Sequence, residues 1–388
     1  MKVKKLISAL GVGIAVAMTV SCAAKDAAKT EDTTSTNPAS GTGSTSATNK
    51  VASATSIADL KLAGALAIKL PEAFGGSASS AALRLLAGKK SSEACRMGET
   101  IKQATSSLGE VGGFFCHLEV EKDRIKFGKK YRIMTSMGEF ARILVDNSQA
   151  ASGKLTVSFC RKDSGDGHSG KQFITIDSLS DAGPKGSILN TGAESSQGSQ
   201  QSFESAVEFD MSVAGLVNVL AKLRHESSGQ IFTNGIDLSL KSSGVSSLKL
   251  ASKGSDSERG GTFFDRGAAL FDAATGSALF QSKGSHQGGA YEFSRKAFFN
   301  SAGDTLAGAD VGADLQPATT AMPSYLPDDF RPAAPTGWAG QDCADYEEDV
   351  TLDPMSASHV ACDQDHDEGD GCWDPSKYED SNESVTVE

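Results

Sequence analysis

The segment Val207-Glu208-Phe209-Asp210-Met211-Ser212-Val213 alternates apolar and polar residues over its whole length. Successive side chains of a β-strand point to opposite faces, so this alternation predicts a strand with one buried face. The same pattern recurs before and after it, over 155–159 and over 236–241. One-sided alternation is typical of antiparallel sheets, because parallel sheets are covered on both faces. The sequence therefore predicts a mainly β fold.

Turn residues between these segments predict how the strands are connected. Asn234-Gly235 is a strong signal for a two-residue hairpin, because both residues tolerate positive φ. Proline is rare across the region, with only Pro184 between Pro71 and Pro317. A long hydrogen-bonded sheet requires this rarity, since proline cannot donate to a neighbouring strand. We therefore predict an antiparallel meander.

The meander is expected to run from Phe114 to about Leu306 with about eight to twelve strands. Its first strand is expected at Leu118 and Val120, which alternate with acidic residues. Leu216–Leu223 is predicted to form a short helix within the meander.

Short helices are predicted before the meander, from Ile57 to about Leu108. The residues Met97, Ile101, Ala104 and Leu108 are spaced by three or four positions, which is the helical period. Glycines interrupt the earlier part of this region, so we expect several short helices rather than one long one.

Composition changes sharply outside this domain, which is expected to cover residues 57–316. Residues 22–56 are mostly Ser, Thr, Ala, Gly and Lys and hold too few apolar residues to fold, which predicts a flexible tether. Residues 317–340 are rich in proline and are expected to form an extended linker. Residues 341–388 contain sixteen acidic residues and one basic residue, so this acidic tail has a net charge of −15, which exceeds the −12 of the whole chain.

Residues 1–21 have the composition of an export signal. Three lysines in the first five residues precede the mainly apolar run 6–20, and small residues follow that run. A run of this length is too short to span a membrane comfortably, since a spanning helix needs about 20 apolar residues.

The segment Thr19-Val20-Ser21-Cys22 resembles the lipobox of bacterial lipoproteins, although Thr19 stands where that family prefers Leu. The resemblance implies that the signal is cut before Cys22 and that Cys22 carries a lipid that anchors the chain to a membrane. The residue after Cys22 is Ala23 rather than Asp, which in a Gram-negative host implies the outer membrane. An ordinary secretory signal with a chance cysteine is the alternative.

The remaining cysteines are candidates for disulfides, because export leads to an oxidising compartment. They are Cys95, Cys116, Cys160, Cys343, Cys362 and Cys372. Three lie in the predicted domain and three in the acidic tail, so at least one bridge joins the two regions if all six pair. We expect a local Cys95–Cys116 bridge, which leaves Cys160 to reach the tail. The alternative is that one or two of the cysteines stay free.

The acidic tail contains a candidate calcium loop whose carboxylates recur at alternating positions. Its proposed ligands are Asp363, Asp365, Asp367, Asp370 and Asp374. Calcium takes six to eight oxygen ligands. The run resembles the aspartate-rich loops of extracellular calcium modules such as thrombospondin type 3 repeats, although Glu368 stands where that family has Gly. The alternatives are a solvated acidic tail and, more weakly, a zinc site at Cys362, His366 and Cys372.

The sequence contains no motif that predicts catalysis, so we do not expect an enzyme. The segment 165–172 approaches a phosphate-binding loop, but Gln172 replaces its Ser or Thr and a strand follows. His286 is expected to be a surface residue in a turn. The acidic balance argues against nucleic acid as a partner.

Two functions remain after these exclusions. The first is a membrane-anchored lipoprotein with a β-rich interaction or structural module that contacts an envelope protein. The second is a carrier of lipid or another amphiphile. The expected architecture resembles, at the level of architecture only, the half-barrels of bacterial lipoprotein- and lipid-carrying proteins.

Overall fold

The computed structural model describes part of the chain. It comprises residues 50–66, 90–135, 138–162, 169–196, 199–256, 261–272, 275–289, 291–300, 302–310, 315, 323–324, 346–353, 356, 358 and 378–379. All of these residues belong to one compact unit, Asn49–Glu388.

Thirteen strands form one sheet, in the order β13-β12-β11-β10-β9-β8-β7-β6-β5-β4-β3-β2-β14. Their bounds are β2 (Lys130–Thr135), β3 (Gly138–Asp146), β4 (Leu155–Lys162), β5 (Ser169–Leu179), β6 (Pro184–Ser196), β7 (Ser199–Asp210), β8 (Leu216–Ser227), β9 (Gln230–Lys241), β10 (Val245–Asp256), β11 (Gly261–Asp272), β12 (Ala278–His286), β13 (Tyr291–Phe299) and β14 (Glu348–Thr351). A separate pair consists of β1 (Lys90–Ser91) and β15 (Tyr378–Glu379).

The twelve strands from β2 to β13 form a continuous antiparallel meander, in which every strand pairs with the next one along the chain. This arrangement confirms the prediction of a mainly β fold built on a meander. The alternation of apolar and polar residues in the sequence reflects the burial of one face of the sheet. In β9, for example, Ile236, Leu238 and Leu240 are buried, whereas Asp237 between them is exposed.

The helices α1 (Lys50–Ser53), α2 (Leu62–Leu66) and α3 (Ser92–Val120) precede the sheet. At the start of α3, the hydroxyl oxygen of Ser91 accepts a hydrogen bond from the backbone N–H of Ala94 at 3.2 Å, which caps the helix. The prediction of a strand beginning near Phe114 was wrong, because α3 continues to Val120. The spacing of Val111, Phe115 and Leu118 explains this, since three- and four-residue steps bury all three on the helix.

Helix α3 crosses the strands instead of running along them. It contacts β12, β9 and β8, and in its first half Gln103 meets Asn234 of β9. Towards its end, the ring of Phe114 lies 5.3 Å from that of Phe159 on β4. A helix of 29 residues is about 43 Å long, enough to cover many strands at about 4.8 Å each. Its side chains and those of the sheet form one hydrophobic core.

Two local predictions within the meander were wrong. Leu216–Leu223 belongs to strand β8 and not to a helix. Asn234-Gly235 lies inside β9, and the turn before that strand is Ser228-Gly229, where both residues have positive φ. The side chain of Asn234 is buried in contacts described below, so its position in the strand is set by packing instead of by turn propensity.

Two short parts of the acidic tail pair with the body of the protein. Strand β14 lies parallel to β2 at the edge of the sheet, and Val350 is buried there. Arg132 donates two hydrogen bonds to the carboxylate of Asp349, from Nε at 2.9 Å and from Nη2 at 2.6 Å. Strand β15 lies parallel to β1, directly before α3. These segments of the tail are therefore parts of the fold.

Candidate functional site

On several strands the inner face of the sheet, defined as the face that contacts α3, changes from aliphatic to polar to aromatic residues along the strand. In β9 the aliphatic residues Ile236 and Leu238 lie in the core, Asn234 follows them towards one end, and Phe232 lies beyond Asn234. Strand β7 repeats this order, with Val207 in the core, then Ser205, then Phe203. The inner face is therefore layered, with an aromatic layer and a polar layer beside the hydrophobic core.

Six half-buried aromatic side chains on β7, β8, β9, β11, β12 and β13 form what we call the aromatic row. They are Phe203, His225, Phe232, Phe263, His286 and Phe293. Four of them are in consecutive ring contact. The ring centroids lie 5.9 Å apart for Phe232 and Phe263, 6.0 Å for Phe263 and His286, and 5.7 Å for His286 and Phe293. The ring contacts therefore continue from β9 to β13, across strands that belong to different hairpins.

Glycines directly opposite three of these rings make room for them. Gly192 pairs with Phe203, Gly254 with Phe263, and Gly284 with Phe293. A Cβ on Gly254 would lie 2.8 Å from the ring opposite it, and one on Gly284 would lie 2.6 Å from its own opposite ring. A Cβ on Gly192 would overlap the Phe203 ring. Each ring therefore leans over the backbone of the neighbouring strand.

The polar row comprises Asn190, Ser205, Asn234, Ser252 and Asp265, on β6, β7, β9, β10 and β11. Asn190 Nδ2 donates to Ser205 Oγ at 3.2 Å, and Ser252 Oγ donates to Asn234 Oδ1 at 3.3 Å. Asn234 Nδ2 donates to Gln103 Oε1 of α3 at 3.4 Å. The polar row is thus linked within the sheet and to the helix.

Asp265 and His286 connect the two rows. Oδ1 of Asp265 lies 3.2 Å from Nε2 of His286, and the two side chains are 29% and 37% exposed. Burial raises the pKa of Asp265 above its ordinary value, although the charges of His286, Arg96 and Arg295 act in the opposite direction. The carboxylate is therefore held in a partly desolvated position surrounded by cationic groups.

Three polar residues of α3 recur every seven positions, which is about two helical turns, so they share one side of the helix. Arg96 acts electrostatically on Asp265, and Gln103 binds Asn234. Glu110 is the third, and burial raises its pKa to about 8. At neutral pH Glu110 is thus mostly protonated and can donate a hydrogen bond as well as accept one.

The site residues expected from the sequence fall elsewhere. Cys22, the proposed calcium ligands (Asp363, Asp365, Asp367, Asp370 and Asp374) and the tail cysteines (Cys343, Cys362 and Cys372) lie outside the described residues. Among the residues that the structure describes, no group of three or more His, Cys, Asp or Glu side chains is arranged to hold a metal ion.

The expected Cys95–Cys116 bridge was wrong. Both residues lie on α3, and 21 residues of helix separate their Cα atoms by about 31 Å. No two cysteines of the described part lie at disulfide distance from one another, so the pairing of Cys95, Cys116 and Cys160 stays a prediction.

The aromatic row was not predicted from the sequence, and the prediction for His286 was wrong. That residue is the last of β12 and half-buried against Asp265, instead of a surface residue in a turn. A signal was present, since each of the strands β7, β9, β11 and β13 carries an inward Phe close to its first residue. This repeat can be recognised only when it is known where each strand begins and which of its residues face inwards.

Comparison with known proteins gives no relative. No protein family matches the chain, and no curated protein or solved structure is significantly similar to it. Within the described residues, no helix is both long enough and apolar enough to cross a membrane.

Proposed function

We propose that the chain is a lipid-anchored protein of the bacterial envelope whose β-sheet body is a binding module. The observation that carries this proposal is the aromatic row, in which six aromatic side chains are only half-buried, whereas aliphatic residues on the same face, such as Val207, Ile236 and Leu238, are buried in the core. Aromatic side chains are enriched at binding surfaces, because they supply much contact area at low entropic cost.

The packing of α3 favours a binding module over a carrier with a hollow interior. Met97, Ile101, Leu108 and Phe115 of α3 have no exposed surface, and they belong to the same core as the aliphatic inner face of the sheet. A carrier needs that aliphatic face for its cargo. Here the helix occupies it, so the face that remains for a ligand is the aromatic row with the polar row beside it.

The tether gives the anchored module its reach. Residues 22–49, which precede α1, have the composition of a flexible linker, and a chain of this length spans about 26–32 Å on average. A body with its own core can therefore contact a partner away from the lipid surface while Cys22 stays in the membrane.

Radioactive palmitate labelling in a Gram-negative host tests the anchoring. The wild-type chain is expected to take up label and to fractionate with the outer membrane, whereas Cys22→Ala is expected to do neither. Ser21→Ala is a suitable control, because it keeps a small residue before the cysteine. Label on the Cys22→Ala protein would contradict the proposed anchor.

Native mass spectrometry tests the choice between module and carrier. The binding module is expected to give the mass of the protein with its own anchor and no further lipid in several independent preparations. A lipid that co-purifies in a fixed ratio with the Cys22→Ala protein would instead support the carrier.

A further inference from the structure

We propose that the aromatic row and the polar row together bind an extended oligosaccharide that lies across the strands. This inference rests on the proposed role as a binding module and names the chemical class of its ligand. It follows from three properties of the inner face, which are its rings, its hydrogen-bonding groups and its length.

The rings offer stacking surfaces in a row. Phe232, Phe263, His286 and Phe293 follow one another at centroid distances of 5.7 to 6.0 Å. Gly254 and Gly284 let two of these rings lean over the backbone of the adjacent strand. A sugar ring carries its C–H groups on its faces, and such faces pack against aromatic rings.

The polar row supplies neutral hydrogen-bonding groups at a matching distance. Residues two apart on a strand are about 6.6 Å apart and share a face, so Asn234 lies beside Phe232 and Asp265 beside Phe263 at that distance. The Asp265 side chain is 29% exposed, so hydroxyl groups at the edge of a stacked sugar can reach its carboxylate, whereas Asn234 is buried behind the rings. Most of the row is amide or hydroxyl, which suits a neutral ligand.

Two buried polar atoms on the inner face lack a hydrogen-bond partner within the described part of the protein. They are Oδ1 of Asn190, which is 2% exposed, and Oγ of Ser282, which is 7% exposed. Ser282 pairs with Gly267 and Arg295, one step further into the sheet than Asp265. A buried polar atom without a partner costs free energy, so both positions favour a ligand that supplies hydrogen bonds.

The dimensions fit a chain of several sugars. From β7 to β13 there are six strand spacings of about 4.8 Å, so the aromatic row extends over about 29 Å. Other ligand classes fit less well. An acyl chain would lie against the polar row, and a peptide that adds a strand would use a sheet edge instead of this face. Nucleic acid is disfavoured because basic and acidic residues balance outside the signal and the acidic tail, so the body has no excess of positive charge.

Isothermal titration calorimetry with the full-length chain in detergent tests the inference. The probes are cellohexaose and hexa-N-acetylchitohexaose, which are uncharged hexasaccharides. We expect saturable binding of at least one of them, weakened about tenfold or more by Phe263→Ala. The matched control is Phe264→Ala. Phe264 is the next residue of β11 and points to the opposite face, where its ring lies 5.5 Å from Nζ of Lys253. This control is expected to change the affinity less than about twofold.

Phe263→Tyr guards against a loss of folding, because it keeps the stacking ring and is expected to bind like wild type. Circular dichroism melting of each variant reports folding separately. The inference is overturned if neither hexasaccharide gives saturable heat with the wild type, or if Phe263→Ala and Phe264→Ala weaken binding equally. Neither result affects the palmitate labelling of Cys22. An absence of oligosaccharide binding can therefore be distinguished from an absence of the proposed lipid anchor.

Discussion

Nε2 of His286 on β12 lies 3.2 Å from Oδ1 of Asp265 on β11, which joins the aromatic row to the polar row. The charge of His286 lowers the pKa of Asp265 against the larger opposing effect of burial. Replacing His286 removes the favourable charge and leaves the burial in place.

His286→Phe is therefore expected to raise the pKa of Asp265 further, measured by NMR titration of the carboxyl carbon. His225→Phe is the matched control, because His225 belongs to the same aromatic row but is not among the groups that shift this carboxyl. An equal rise in both variants would show that the contact with His286 has no electrostatic effect.

Gly284→Ala is expected to lower the free energy of unfolding by about 1–3 kcal/mol. Its Cβ would lie 2.6 Å from the Phe293 ring and would overlap the carboxylate of Asp265. The measurement is urea unfolding followed by circular dichroism. Gly170→Ala on β5 is the control, because the nearest atom to its Cβ would be 3.8 Å away. The double variant Gly284→Ala with Phe293→Ala should lose less than the sum of the single changes. Additive losses would mean that the ring does not cause the strain.

The fold class could be predicted because each strand carries its own evidence. Alternation over Val207–Asp210 is a local property, and its physical consequence is that β7 buries Val207 and Phe209 on one face. The strand ends at Asp210, and Val213 beyond it is exposed although it continues the alternation. The extent of α3 could not be predicted in the same way. The segment that contains Leu118 and Val120 is so short that its apolar residues fit both the two-residue spacing of a strand and the spacing of a helix. Only the packing of Phe115 and Leu118 in the core shows that the segment is helical.

The candidate site could not be predicted from the sequence, for a different reason. Asp265 and His286 are 21 positions apart in the sequence and meet only through the register of β11 with β12. Asn234 illustrates the same limit. Its neighbour Gly235 makes the pair look like a turn, but the hydrogen bond to Gln103 of α3 and the contact with Ser252 keep Asn234 within a strand. Such tertiary contacts override local propensity and leave no local signal.

Glu110 is expected to make stability fall as the pH rises. Burial raises its pKa from 4.5 to about 8 in the folded protein, so between these two pH values only the unfolded chain loses the proton. The free energy of unfolding therefore decreases by about 1.4 kcal/mol for each pH unit across this range, and it levels off above pH 8.

Urea unfolding of Glu110→Gln across pH 5 to 9 checks this, because the amide cannot titrate and the dependence should flatten. Glu99→Gln is the control, since Glu99 lies on the same helix but is exposed. A pH dependence that is unchanged in Glu110→Gln would assign the effect to other groups.

The calcium loop stays a prediction that calorimetry on the oxidised full-length chain can test. Millimolar calcium is expected to give saturable heat, and a variant with Asn at 363, 365 and 367 is expected to give none, because the amides lack the negative charge that calcium requires. Magnesium serves as the control ion. Heat that does not saturate, or that persists in the variant, would leave only a diffuse attraction to the acidic tail.

The disulfides of the body are expected to lead to the tail in reverse order along the chain. Cys160 pairs in register with Arg142, whose guanidinium lies 5.1 Å from the ring of Tyr346. Cys343 comes three residues before that tyrosine, within about 10 Å of chain, so it is the expected partner of Cys160.

At the other end of the tail, β15 pairs with β1, and β1 ends four residues before Cys95. Cys372 is the nearest tail cysteine to β15, so it is the expected partner of Cys95, which leaves Cys116 to Cys362. Mass spectrometry of non-reduced peptides measures the connectivity directly. The three expected pairs tie the acidic tail to α3 and β4, so reduction should release the tail to proteolysis before the sheet unfolds. A bridge between any two of Cys95, Cys116 and Cys160 would refute this connectivity.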